Sequence, residues 1–201
     1  MSINKIPVSS IKGRLEAAIQ KLYSNDLHLI KEGLNERSIT HKLAMYLSSA
    51  FKNFHVDHEY NGDVHNADNY RKVVDWSNFE ELYHELVNTE QAKYLGRVVS
   101  IFPDIIVHER GTHDNNLLIV EVKKSLNSER DDKFSRFDQN KLKACVHSRV
   151  SGGFGYKLGA FIQFITPIIK THPECHITYF SEHNGVIMQD SILLSITLLN
   201  N

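Results

Sequence analysis

Cysteine, proline and tryptophan are scarce: the 201-residue chain has two, four and one of them. The two cysteines, Cys145 and Cys175, form no motif. That excludes a disulfide-stapled fold, and a reduced, cytoplasmic setting is expected, with both thiols as packing residues. No apolar run approaches the ~20 residues a membrane helix needs, so no membrane partner is expected. The opening stretch MSINKIPVSSIKGR lacks an apolar h-region, so nothing suggests export. Neither charge sign dominates: 23 Lys and Arg face 24 Asp and Glu, for a formal net charge of -1. A broadly basic coat for nucleic acid is excluded, and any such contact must be a local patch. Hydrophobic content of 41% and charged content of 23% are ordinary for a globular protein. Length and composition suit one domain spanning 1–201, without repeats or low-complexity segments.

Apolar periodicity organises what is there. Ile11, Leu15, Ala18, Ile19 and Leu22 recur at helical spacing, and a short helical piece follows around Asp26–Lys31, ended by Gly33. Asn35 is a good N-cap for a second helix, NERSITHKLAMYLSSAF, with Ile39, Leu43, Tyr46, Leu47 and Ala50 as its buried stripe. FHVDHEYN alternates like a strand. Residues 62–96 are polar, carry no strand signal and contain one expected helix around WSNFEELYHELV. They read as an insertion anchored by Trp76, packed beside the core, whose removal should spare the fold. A hairpin, a helix (FDQNKLKACVHS) and two strands (GYKLGAFIQFI and CHITYF) follow; ILLSITLL is left without an assignment. The order predicts an α/β fold with a mixed central sheet flanked by helices.

The chemistry concentrates in the hairpin FPDIIVHERGTHDNNLLIVEVKKS, residues 102–125. Acid-x-Lys triplets prove nothing by number: 24 acids and 15 lysines give about 1.8 by chance, and two occur. Position decides. The turn residues Gly111, Asp114 and Asn115 support a hairpin centred between Thr112 and His113. Asp104 then lies opposite Glu121, Ile106 opposite Ile119, and His108 opposite Leu117. Ile105 meets Val120 and Val107 meets Leu118 on the other, core-facing side. Alternation puts Lys123 on the face of Glu121. A one-residue slip would lose the cluster.

Two adjacent carboxylates repel unless a proton or cation sits between them. A hard divalent ion such as Mg²⁺ uses one or two carboxylates plus waters and phosphate oxygens. The carbonyl of Val122 can serve as a third protein ligand, with Lys123 orienting or deprotonating a bound water. That set suits hydrolysis of a phosphodiester. The bland rival is a surface ion pair of little energetic worth.

Pro103-Asp104, the hairpin and Glu121-Val122-Lys123 together resemble the motif of the PD-(D/E)XK nuclease superfamily. The match covers roughly 34–61 and 97–180. The resemblance implies a restriction-endonuclease-like core and a Mg²⁺-dependent nuclease, with Mn²⁺ as an alternative ion, acting on DNA before RNA. It implies a glutamate in the helix ahead of the first strand, matched here by Glu36. It also implies polar residues presented by the helix after the motif: Asp138, Gln139 and Lys141. Catalytic roles fall to Asp104, Glu121, Lys123 and Glu36, and metal ligation to Asp104, Glu121 and the Val122 carbonyl. Nucleic-acid contacts fall to Lys124, Gln139 and Lys141. VDHEYN, FPDIIVHERG and NLLIVEVKKS look like stretches of uncharacterised bacterial members. The segment 62–96 departs from the minimal core. A homodimer stays open, and so does a catalytically inactive nucleic-acid-binding or protein-interaction domain of the same fold.

Each secondary candidate has a bland rival. Glu36 lies in a first helical turn, where the helix dipole favours an acid. Asp57 and Glu59 share a strand face and can be merely solvated. The basic residues of 123–157 can be a solvated helix face. Twelve histidines invite zinc, but His55/His58 and His172/His176 lack a second ligand pair. SGGFGYKLG precedes a strand and reads as a tight loop, not a phosphate-binding loop.

Overall fold

A computed structural model describes residues 6–31, 35–63, 70–87, 96–125, 132–165 and 174–196. Gly33, Arg130, His172 and the stretches 64–69 and 88–95 of the expected insertion lie outside them. The first apolar stripe forms helix α1, Val8–Lys31, and Ile11, Leu15, Ala18, Ile19 and Leu22 are its buried line. The backbone leaves helical geometry at Asp26 (φ -132°, ψ 27°), so the expected second helical piece is the outer arm of a kinked helix. Helix α2, Glu36–Ala50, starts where Asn35 Oδ1 accepts the N–H of Arg37 at 3.0 Å. Ile39, Leu43 and Leu47 are buried as expected, joined by Thr40 and Ala44, while Tyr46 turns its hydroxyl to Asp26.

Strands β1 (His55–His58), β4 (Ile105–His108), β5 (Leu118–Ser125), β6 (Leu158–Ile165), β7 (Glu174–His183) and β8 (Val186–Leu194) form one sheet in the order β1-β4-β5-β6-β7-β8. β5 and β6 run parallel; every other pair is antiparallel. A parallel pair requires a crossover, and helix α4 (Asp132–Val146) supplies it. The expected mixed sheet flanked by helices is therefore what forms. The hairpin register is also as expected: Ile105 pairs with Val120, Ile106 with Ile119 and Val107 with Leu118.

Both sheet faces are covered. Ile105, Val107, Val120 and Val122 pack with α1 and α2, whereas Ile106, Ile119 and Phe161 pack with Leu142 and Cys145 of α4. Cys175 is buried on the first face, and both thiols are free. Each buried aliphatic side chain of this kind contributes about 1.5–3 kcal/mol.

The 62–96 segment differs from the expectation. It holds a strand, β2 (Val73–Asp75), a short 3-10 turn at Trp76–Asn78 and helix α3 (Glu80–Val87). β2 pairs with β3 (Val98–Ser100) in a two-stranded sheet separate from the main one. Three-residue strands are too short for alternation to show. Trp76 does not anchor a private core: it is fully buried with Ile106, Ile119 and Leu142.

Two glycines are dictated by geometry. A Cβ at Gly153 would stand 2.1 Å from the carbonyl oxygen of His147, so the loop can close on the end of α4 only with glycine there. Asn184 and Gly185 both have positive φ (52° and 80°), as the two-residue turn between β7 and β8 requires.

Candidate active site

Asp104 sits immediately before β4, with its carbonyl accepting the N–H of Glu59 at 3.1 Å. Its Oδ2 accepts the N–H of Val122 at 2.7 Å. The N–H and C=O of one strand residue face the same neighbour, so the Val122 carbonyl also turns to the Asp104 side, past the last β4–β5 pair. Glu121 and Lys123 emerge one and three residues after Val120, on the sheet face covered by α4. α4 meets them with Asp138 and Lys141, which share one helix face at i, i+3 spacing.

These groups form a chain of charges. Lys141 Nζ lies 2.8 Å from Glu121 Oε1 and 3.0 Å from Asp138 Oδ1. Lys123 Nζ lies 3.1 Å from Asp138 Oδ2 and 3.7 Å from Glu36 Oε1. Glu36 reaches over from α2, and its Oε2 accepts the N–H of Lys124 at 3.0 Å. Four carboxylates thus face two ammonium groups. Glu121, Asp138 and Lys141 are only 3%, 7% and 6% exposed. Lys124 is half-buried with its ammonium held below the usual range by burial. Gln139 is half-buried and makes no hydrogen bond or ion pair to the cluster among the described residues.

Burial governs the protonation. It raises Glu121, helped by Asp138 and Asp104 and opposed by Lys141. Asp104 is raised too, by burial, against the Val122 N–H and the two lysines. Burial alone would lower Lys141, but Glu121 and Asp138 outweigh it and hold the ammonium above its ordinary range. Lys123 is likewise raised, because Asp138 and Glu36 overcome its burial. The two partners of the Glu121–Lys141 pair pull in opposite senses. Lys141 stays charged, since Asp138 faces it as well. Glu121, the most deeply enclosed carboxylate, is where a proton enters first. Lys123 is thus held as a charged hydrogen-bond donor.

The donor set fits a hard cation. All its members are oxygens: two carboxylates and a backbone carbonyl. Glu121 Oε1 is enclosed, with the Lys141 ammonium 2.8 Å away. One turn ahead of Asp138, the Ser135 hydroxyl is also enclosed without a partner among the described residues. No group of three or more His, Cys, Asp or Glu side chains converges to hold a metal ion among the described residues. Mg²⁺ needs only one or two carboxylates, completing its shell with water.

One expectation changes. Asp57 is neither solvated nor at the site: its carboxylate pairs with His108 at 2.8 Å and with the Arg110 guanidinium. Burial would raise Asp57, but those two partners hold it below the ordinary carboxylate range. Lys141, expected as an inward lysine able to reach a phosphate, points inward and is buried in ion pairs with Glu121 and Asp138. Glu59 pairs with Arg37 at 3.1 Å. Beside that pair, Arg37, His41, Lys42 and His58 line a hollow of about 540 Å³. Asp138 was legible only as one polar residue among three; its i, i+3 partner Lys141 was the signal that it would join the two lysines. Among the described residues, no helix is long and apolar enough to cross a membrane. Compared with known proteins, the chain matches no family model, no curated protein and no solved structure.

Proposed function

We propose that the chain hydrolyses phosphodiester bonds of nucleic acid, DNA before RNA, with a divalent cation held by Asp104, Glu121 and the Val122 carbonyl. The observation carrying this is the placement of Asp104 and Glu121 at one end of a hairpin in the expected register, with Lys123 on the same face. Bound Mg²⁺ or Mn²⁺ would supply a Lewis acid for the phosphoryl oxygens and make its water more acidic. Lys123 donates to the attacking water or to a phosphate oxygen. Glu36 holds Lys123 in place from α2 and fixes the backbone of Lys124. The order of elements, with a mixed sheet, α2 before β1 and α4 after β5, supports a restriction-endonuclease-like core.

A second reading has its own support. Lys141 and Lys123 already pair with the acids, as in a purely structural ion network. The chain would then retain nucleic acid, or bind a protein, without cutting. Incubation with linear, circular and branched DNA and with RNA, with EDTA, Mg²⁺ or Mn²⁺, separates the two. Cleavage that needs the ion and disappears in Asp104→Asn supports hydrolysis; retention without cleavage supports the second reading.

A further inference from the structure

Lys141 is bound in an unusual way. Its ammonium lies between Glu121 Oε1 at 2.8 Å and Asp138 Oδ1 at 3.0 Å, and it is almost wholly enclosed. The Asp138 contact is a formed hydrogen bond within one helix. The Glu121 contact crosses from the helix to β5 as a close ion pair at 2.8 Å. The lysine is thus anchored on its own helix by Asp138 and reaches Glu121 across the layer. A buried carboxylate needs a compensating cation, and here the helix provides one. Lysine suits this use, being a compact point charge on a flexible four-carbon stem.

We propose that the Lys141 ammonium is the resident cation of this site, and that it competes with a divalent ion for Glu121. The proposal rests on the reading that Asp104 and Glu121 hold such an ion. Entry of the metal releases Nζ from Glu121, while Asp138 keeps the lysine on its helix. The two cannot share the carboxylate, because an ammonium and a divalent ion within a few ångströms repel strongly in an enclosed site. Before metal arrives, Lys141 keeps the carboxylates compensated and the cluster folded. After it, the freed ammonium is left beside the site, able to face a phosphate. Metal affinity in the native chain is therefore reduced by the share of molecules in which Lys141 holds Glu121.

The test measures binding, not turnover. Mn²⁺ is titrated into the full chain and followed by electron paramagnetic resonance, for the native protein, Lys141→Met and Asp104→Asn. Lys141→Met should bind Mn²⁺ about tenfold tighter or more, as removing a competitor that occupies the site nine times in ten requires. Asp104→Asn should lose that binding. Where Lys141→Met does not fold, the native protein carries the test: the slowly exchanging ammonium resonance of Lys141, assigned by its absence from Lys141→Arg, should shift or vanish as Mg²⁺ saturates. Native protein that binds Mn²⁺ while Lys141→Met binds equally or more weakly overturns the competition and leaves the hydrolytic reading standing. So does an unchanged Lys141 resonance at saturating Mg²⁺. Failure of both native and variant chains to bind either ion sinks the underlying reading, and the competition with it.

Discussion

The N–H of Val122 donates to the carboxylate of Asp104 at 2.7 Å, joining the start of β4 to the middle of β5. Asparagine at 104 keeps an acceptor for that bond and removes one negative charge. Asp104→Asn should therefore be at least as stable as the native chain in EDTA, while losing any Mg²⁺-induced rise in melting temperature. Asp104→Ala strands the N–H and should cost about 1–3 kcal/mol. Urea unfolding of the two variants side by side distinguishes them; equal loss in both would make the charge, not the acceptor, the structural element.

The protonation of Glu121 sets a pH dependence. Burial raises the Glu121 carboxyl above its ordinary value of 4.5, and the charge of Lys141 limits that rise. Just above the ordinary value the folded state binds more protons than the unfolded one, so stability contributed by this group falls as pH rises. In EDTA the melting temperature should decline as pH rises from about 5, and Glu121→Gln should flatten that slope. A native profile that rises with pH there would show that Lys141 outweighs burial at Glu121.

Glu36 is partly exposed, so its charge contributes little to stability, within about 1 kcal/mol. Its carboxylate contacts Lys123 and accepts the N–H of Lys124. Glu36→Gln keeps a hydrogen-bond acceptor but weakens the hold on Lys123. Cleavage should fall about 10–100-fold with the urea midpoint almost unmoved. A variant that unfolds early would return Glu36 to a structural part.

Trp76 tests how the 62–96 segment belongs to the molecule. Its ring is fully buried against the α4-covered sheet face. Trp76→Ala should destabilise the whole chain by about 3–5 kcal/mol in one cooperative transition. Excision of 62–96 should then unfold that face, contrary to the sequence expectation that removal spares the fold. An early, separate transition in Trp76→Ala would restore the picture of an independent insertion.

These particulars show where the sequence was legible. The β4–β5 register followed from alternation and turn residues because both act locally. Asn35 followed from helix-start chemistry, whereas Glu36 was singled out only through the family resemblance. The sequence reading put Ile105, Val107, Leu118 and Val120 toward the core but did not anticipate that Trp76 and α4 close over Ile106 and Ile119 on the other face. That cover comes from residues far along the chain, and no local pattern encodes it. β8 was missed differently. Its side chains are mostly exposed, so hydrophobicity is a weak guide, yet Asn184-Gly185 was a strong hairpin signal in plain view. The Asp57–His108 pairing joins two strands, and only the register reveals it.

Glu36 belongs to a helix whose core packs against the opposite sheet face from Glu121, yet its carboxylate meets Lys123 and the backbone of Lys124. The site is therefore a clasp between layers. Partial opening that lifts α2 would unfasten it while β4, β5 and α4 stay assembled. Hydrogen exchange at the N–H of Lys124, which the Glu36 carboxylate accepts, would report that opening directly. Substitutions in the distant α1–α2 seam, such as Leu15 or Leu43, would then weaken function before they weaken the sheet.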